Sequence, residues 1–208
     1  VNLLSSGRRY AAAGSLAAAC VLAVTVPAGA QPAAAEVPPE AFLTGDELPA
    51  HDTGWYSSGA VAGLPEWPVF CFEDQLPAED AWHQPYWTEL DTGALQVVVE
   101  AGDEAGAEAL VAALSTAAAD CAADWLRENP GASAAWDDYG PVEAADGGHV
   151  YGVHTAPQEA GLGVRLFGVG RDGTRVTLVD WGQMGTLQDA PVEEFGTTLS
   201  TALDKLGA

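Results

Sequence analysis

The stretch GVRLFGVGRDGTRVTLVDW, residues 163–181, decides the fold, because it can be read in two incompatible ways. Gly168 to Gly173 spells GxGxxG letter for letter. A dinucleotide site needs a strand before that motif and a helix after it. Here the residues that follow, Thr174 to Val179, are β-branched or apolar at all positions but Arg175, so they read as a second strand. Asp172-Gly173 then supplies a hairpin turn, and the glycines serve turning and close packing rather than phosphate binding.

Working outward, His149 to Thr155, Gly163 to Val169 and Thr174 to Trp181 are three expected strands of one antiparallel sheet. Asp189 and Pro191 open a helix with Val192, Phe195, Leu199, Ala202, Leu203 and Leu206 on one face. Glu193 and Glu194 sit in its first turn and Lys205 in its last, as the helix dipole favours. Upstream, apolar residues recur at steps of three and four from Ala107 through Leu114 and Cys121 to Trp125, which predicts a long helix over 103–126. Leu95 to Val99 reads as an inner strand before it. Prolines cut the aromatic-rich stretch from Trp55 to Leu90 into short pieces, with brief strands expected near 68–72 and 84–90. Asp137 and Asp138 are expected in an exposed loop after the long helix. The fold class is α+β: an antiparallel β-sheet covered by one long central helix and a C-terminal helix, in a single domain over 42–208. No second apolar run reads as a membrane span.

Arg8 and Arg9 precede an uncharged run from Tyr10 to Val26 and the small residues Ala28-Gly29-Ala30, the pattern of a signal peptide over 1–30. Cleavage is expected after Ala30, with Ala33-Ala34-Ala35 as a second acceptable site. Val1 reads as a GUG start, since the only methionine is Met184. Residues 31–41 are Ala/Pro-rich and read as a spacer. The alternative destination is a lipoprotein anchored through Cys20, although Leu16 lies one residue too far upstream for a lipobox. Export would leave Cys71 and Cys121 in an oxidising space, where they are expected to pair. Two buried free thiols are the rival reading.

Thirty acidic residues stand against seven basic ones, for a formal net charge of −23, and every acid lies beyond the leader. Such a surface repels phosphate backbones and anionic headgroups, so nucleic-acid partners and membrane docking are not expected. His51, His83, His149 and His154 fit no catalytic or metal-ligand spacing, and His149 and His154 fall on opposite faces of their strand. Ser57 and Ser58 near His51-Asp52 lack a nucleophile elbow. No catalytic residue, metal site or cofactor is therefore expected. Among so many carboxylates a hydrolytic pair could lie unseen, and a secreted hydrolase acting on cell-wall or extracellular polymer is the rival function. The rings of Trp55, Tyr56, Trp82, Tyr86 and Trp87 are the expected ligand contacts, against the plain alternative of core packing.

The opening Phe42 to Pro49, the helix with Ala119-Asp120-Cys121, and the closing segment Val176 to Leu206 together resemble the PknH-like extracellular sensor domain. Trp181-Gly182-Gln183-Met184-Gly185 and Asp189-Ala190-Pro191 carry the likeness at the C-terminal end. The resemblance implies an antiparallel sheet with helices around a cleft. In the family that domain stands outside a bacterial membrane on a receptor-type serine/threonine kinase, or is secreted alone or as a lipoprotein. It also implies a domain with no catalytic residue that binds an undefined ligand; the chain is accordingly expected to be a secreted, non-enzymatic monomer whose partner is an extracellular ligand or envelope protein. Only Cys71 and Cys121 map onto a family feature, and one cysteine pair replaces the family's two, which bears on the rigidity of any cleft.

Overall fold

The computed structural model describes residues 37–207. The expected leader, Cys20 and the first part of the spacer lie outside the described residues. In chain order the elements are β1 (Tyr56–Ser57), β2 (Val61–Ala62), β3 (Ala81–Trp87), β4 (Gly93–Glu100), α1 (Glu104–Glu128), β5 (Ser133–Val142), β6 (Gly148–Ala156), β7 (Gly163–Asp172), β8 (Arg175–Met184) and α2 (Val192–Leu206). The strands form one antiparallel sheet in the order β1-β3-β4-β8-β7-β6-β5, with β2 also pairing β3. The α+β architecture has α1 on one face and α2 on the other.

The two faces follow from period-two alternation. On the α1 side Val97, Val99, Phe167, Val169, Val176 and Leu178 pack with Leu114, Ala118 and Cys121 of the helix. On the α2 side Val98, Leu166 and Val179 pack with Phe195, Leu199 and Leu203. A β-carbon on Gly168 would stand 3.0 Å from Leu199 Cδ1, and one on Gly170 2.7 Å from Leu203 Cδ2. The first two glycines of the GxGxxG motif, Gly168 and Gly170, are therefore the seat of α2. The hairpin turn is Gly173-Thr174, one residue later than Asp172-Gly173, with Gly173 at φ +56°.

α1 is capped by Asp103, whose carboxylate accepts the Gly106 N–H at 2.7 Å. By length and composition alone this helix could cross a membrane. Its stripe of Ala107, Leu114, Ala118 and Cys121 is instead spent on the sheet.

The N-terminal segment crosses the α2 side without joining the sheet, held by side chains. Gln96, fully buried on β4, donates to the Ala41 carbonyl at 3.1 Å and accepts the Leu43 N–H at 2.8 Å. Gln84 and Tyr86 both donate to the Leu43 carbonyl. Val37 and Ala41 are buried with Phe42 and Leu43, so the packed part of the chain begins by residue 37, inside the expected spacer.

Three local expectations are corrected. The segment 68–72 forms turns rather than a strand: Val69 and Phe72 plug the α1-side core, and Cys71 turns to φ +69°. The strand expected near 84–90 spans 81–87, and Pro85 falls opposite the gap between β1 and β2, where a residue without an N–H is tolerated. Asp137 and Asp138 lie on β5, an edge strand, and not in a loop.

Candidate functional site

α1 covers the sheet over β5, β6 and β7, and the rest of that face is roofed by residues 64–76, in which Leu64, Val69, Phe70, Phe72 and Leu76 pack on the sheet. Cys71 of the roof is bonded to Cys121 of α1, with Cα atoms 5.4 Å apart. At the end of the sheet where β4 and β7 begin and β8 ends, roof and sheet separate to leave a cleft of about 510 Å³.

Strand register sets its floor. One cross-sheet row on the α1 side runs Tyr56, Trp87, Gly93, Gly182, Arg165. Two adjacent glycines leave the sheet bare between the Trp87 ring and the Arg165 guanidinium. The next row inward carries Leu95 beside Asp180. Pro65, Trp67, Pro68 and Phe70 form the roof, with Trp67 81% exposed at the lip.

Arg165 Nη1 donates to Asp180 Oδ2 at 2.6 Å. The guanidinium also lies over the Phe70 ring, 5.3 Å from its centroid, a cation–π contact that fixes its plane. The arginine side chain is 43% exposed and the aspartate's only 6%. Asp180 Oδ1 is buried without a hydrogen-bond partner. Burial pushes the Asp180 carboxyl above the ordinary aspartate range, against the lowering pull of Arg165. The floor thus offers an oriented donor and an acceptor with spare capacity, between an apolar roof and bare backbone.

The five rings expected as ligand contacts do not converge. Trp82 and Tyr86 are an even number of residues apart and share the α2 side, while Trp87 points to the α1 side. Tyr86 is buried, its hydroxyl donating to the Leu43 carbonyl at 2.8 Å, and burial raises its phenol well above the usual value. Trp82 and Trp55 pack against the α2-side core, and Trp55 Nε1 donates to the Pro49 carbonyl at 2.8 Å. Tyr56 and Trp87 remain as an exposed stacked pair with centroids 6.4 Å apart, at the outer end of the glycine row. Trp67, Arg165 and Asp180 were not singled out by sequence reasoning. The signal was available: each charge interrupts the alternation of an apolar strand, and counting back from the hairpin turn brings the two together.

The histidines have local partners. His149 Nε2 pairs with Asp138 Oδ1 at 2.5 Å and stacks on Tyr151, which holds the Asp138 carboxyl below its ordinary range. His51 bonds Thr53, His83 the Gly63 carbonyl and His154 the Gly163 carbonyl. Among the described residues no group of three or more His, Cys, Asp or Glu side chains is placed to hold a metal ion. A second groove, between roof and α1, is lined by Glu73, Asp74, Asp120, Asp124 and Glu128 beside the disulfide.

No family model matches the chain, and no curated protein or solved structure matches it.

Proposed function

We propose that this chain is a secreted, non-enzymatic, sensor-like domain that binds an extracellular ligand or envelope component in the cleft over Arg165 and Asp180. The observation that carries this reading is the held ion pair: a guanidinium fixed by Phe70 above a buried carboxylate with an unused oxygen. Small-molecule sites are concavities of roughly 300–1,000 Å³ with a few precisely placed polar groups, and this cleft has that volume and an oriented donor and acceptor on its floor. The likeness of Phe42–Pro49 and Val176–Leu206 to the PknH-like sensor domain points the same way, as does a disulfide that ties the roof to the helix. The protein would act as a monomer, exported by its leader, with no cofactor.

A thermal-shift screen of neutral, cationic and anionic small molecules tests the reading, with wild type run beside Trp67→Ala and Asp180→Asn. Compounds that stabilise wild type and lose their effect in both variants are expected. A screen whose hits all survive both substitutions would place binding elsewhere. The export half is tested by the intact mass of the secreted protein. A chain starting at Gln31 or Glu36 and two hydrogens light before reduction is expected. A diacylglyceryl increment at Cys20 would overturn it.

One observation favours the rival, a secreted hydrolase: burial pushes the Asp180 carboxyl above the ordinary aspartate range, the direction in which a general acid is tuned. Hydrolysis also needs a second group to activate water or attack, and the residues lining the cleft include no serine, cysteine or histidine; Asp91 is its other carboxylate. Release of reducing ends from extracellular polysaccharide, abolished in Asp180→Asn, would decide for the enzyme.

A further inference from the structure

We propose that the cleft takes a neutral saccharide, one sugar ring stacked on Trp67 with its hydroxyls shared between Arg165 and Asp180. This inference rests on the cleft being the ligand site.

Charge narrows the choice of ligand first. An anion would meet Arg165 but also Asp180, Asp91 and the field of a chain carrying a net charge of −23. A cation would find the carboxylate already paired with a guanidinium 2.6 Å away. A wholly apolar ligand would bury that ion pair without satisfying its free donors and acceptor. What remains is a neutral molecule that both gives and accepts hydrogen bonds and has an apolar face.

The polar inventory matches vicinal hydroxyls. Among the described residues the Nε and Nη2 groups of Arg165 make no hydrogen bond, and they donate to a ligand oxygen in a plane set by Phe70. Asp180 Oδ1 has acceptor capacity for one hydroxyl proton. A pyranose presents such donors and acceptors around its rim and C–H groups on its faces. Trp67, 81% exposed at the lip of the cleft, offers a ring face with little packing to lose.

The floor sets the shape. Gly93 and Gly182 lie side by side in register, so the trough between Trp87 and Arg165 admits a ring close to the sheet backbone. The exposed Tyr56–Trp87 stack continues the same row outward, where a second sugar unit of a chain would lie.

The test titrates wild type, Trp67→Ala, Arg165→Lys and Asp180→Asn with neutral cellotetraose, xylotetraose and chitotetraose, with anionic tetragalacturonate, and with cationic glucosamine tetramer. Calorimetry and tryptophan fluorescence report binding, and circular dichroism confirms that each variant is folded. At least one neutral tetramer is expected to bind saturably, and to bind at least tenfold more weakly in Trp67→Ala and Asp180→Asn. Trp67→Ala removes an exposed ring, so it keeps the test decisive if a floor variant misfolds. Binding of only a charged tetramer overturns the neutral character assigned to the ligand but leaves the cleft as the site when Trp67→Ala weakens it. Neutral binding untouched by Trp67→Ala and Asp180→Asn overturns the placement. Absence of binding by all five tetramers overturns the inference, while Trp67-dependent hits in the small-molecule screen would keep the cleft as a site for another class.

Discussion

Arg165 lies across Gly182: a β-carbon built on that glycine would stand 3.1 Å from the arginine Cγ. The guanidinium reaches Asp180 by passing over a position with no side chain. Gly182→Val should therefore lift Arg165 off the floor and act like Arg165→Met, because both leave the buried carboxylate without its cation. Each should lose about 1–2 kcal/mol at pH 7, below the 3–5 kcal/mol of a wholly buried pair because the arginine is 43% exposed. Denaturant unfolding of both variants measures the loss, and a glycine variant as stable as wild type would refute the contact.

The Asp180 carboxyl, raised by burial, gives a pH signature of definite sign. The folded protein holds this proton more tightly than the unfolded chain does. The stability that the neutral form contributes is complete below the unfolded value of about 3.9 and is lost as pH rises through the higher folded value. Asp180→Asn stays neutral throughout, so its melting temperature should gain steadily on wild type as pH rises from about 4 to 7. A constant difference across that range would mean that the carboxyl is not perturbed.

The disulfide closes a loop with a sequence separation of 50 residues. Loop-closure entropy assigns such a bridge roughly 4 kcal/mol. Replacing Cys71 and Cys121 together by serine should lower the melting temperature by about 8–16 °C at 2–4 °C per kcal/mol. Calorimetry checks this. Backbone exchange should quicken first in residues 64–76, which have lost their covalent tie.

Gln96→Leu keeps the volume of a fully buried side chain while removing its bonds to Ala41, Leu43 and Thr177. The Leu43 N–H and the Ala41 carbonyl would then face a hydrocarbon. A loss of about 2–4 kcal/mol is expected for two stranded backbone groups. Limited proteolysis should cut the variant between residues 37 and 48 well before wild type is cut.

Both helices and the last three strands could be read from the chain, because each has a clean apolar period bounded by a turn or a cap. β5 could not: Asp137, Asp138, Gly140 and Pro141 break its pattern, and as an edge strand with mostly exposed side chains it needs no apolar alternation. Residues 68–72 misled for the opposite reason, since Val69 and Phe72 are apolar as core plugs and not as a strand face. The five aromatic residues were legible as rings but not as a group, because their facing depends on where β3 begins. Arg165 and Asp180 were hidden by their ordinariness, each a lone charge in an apolar strand. Counting from Asp172-Gly173 as the turn would set them directly opposite; the true turn at Gly173-Thr174 sets Arg165 opposite Gly182 and makes the pair diagonal.

The roof shares no strand ladder with the sheet it covers. Among the described residues, no backbone hydrogen bond links 64–68 to a strand, and the segment is held by apolar plugs and one sulfur bond. The lip of the cleft and the architecture of the sheet are therefore separable in this chain. Residues 65–68 should tolerate randomisation as a surface loop while β4, β7 and β8 keep their register, so the lip over the Arg165–Asp180 floor can be varied at little cost to folding.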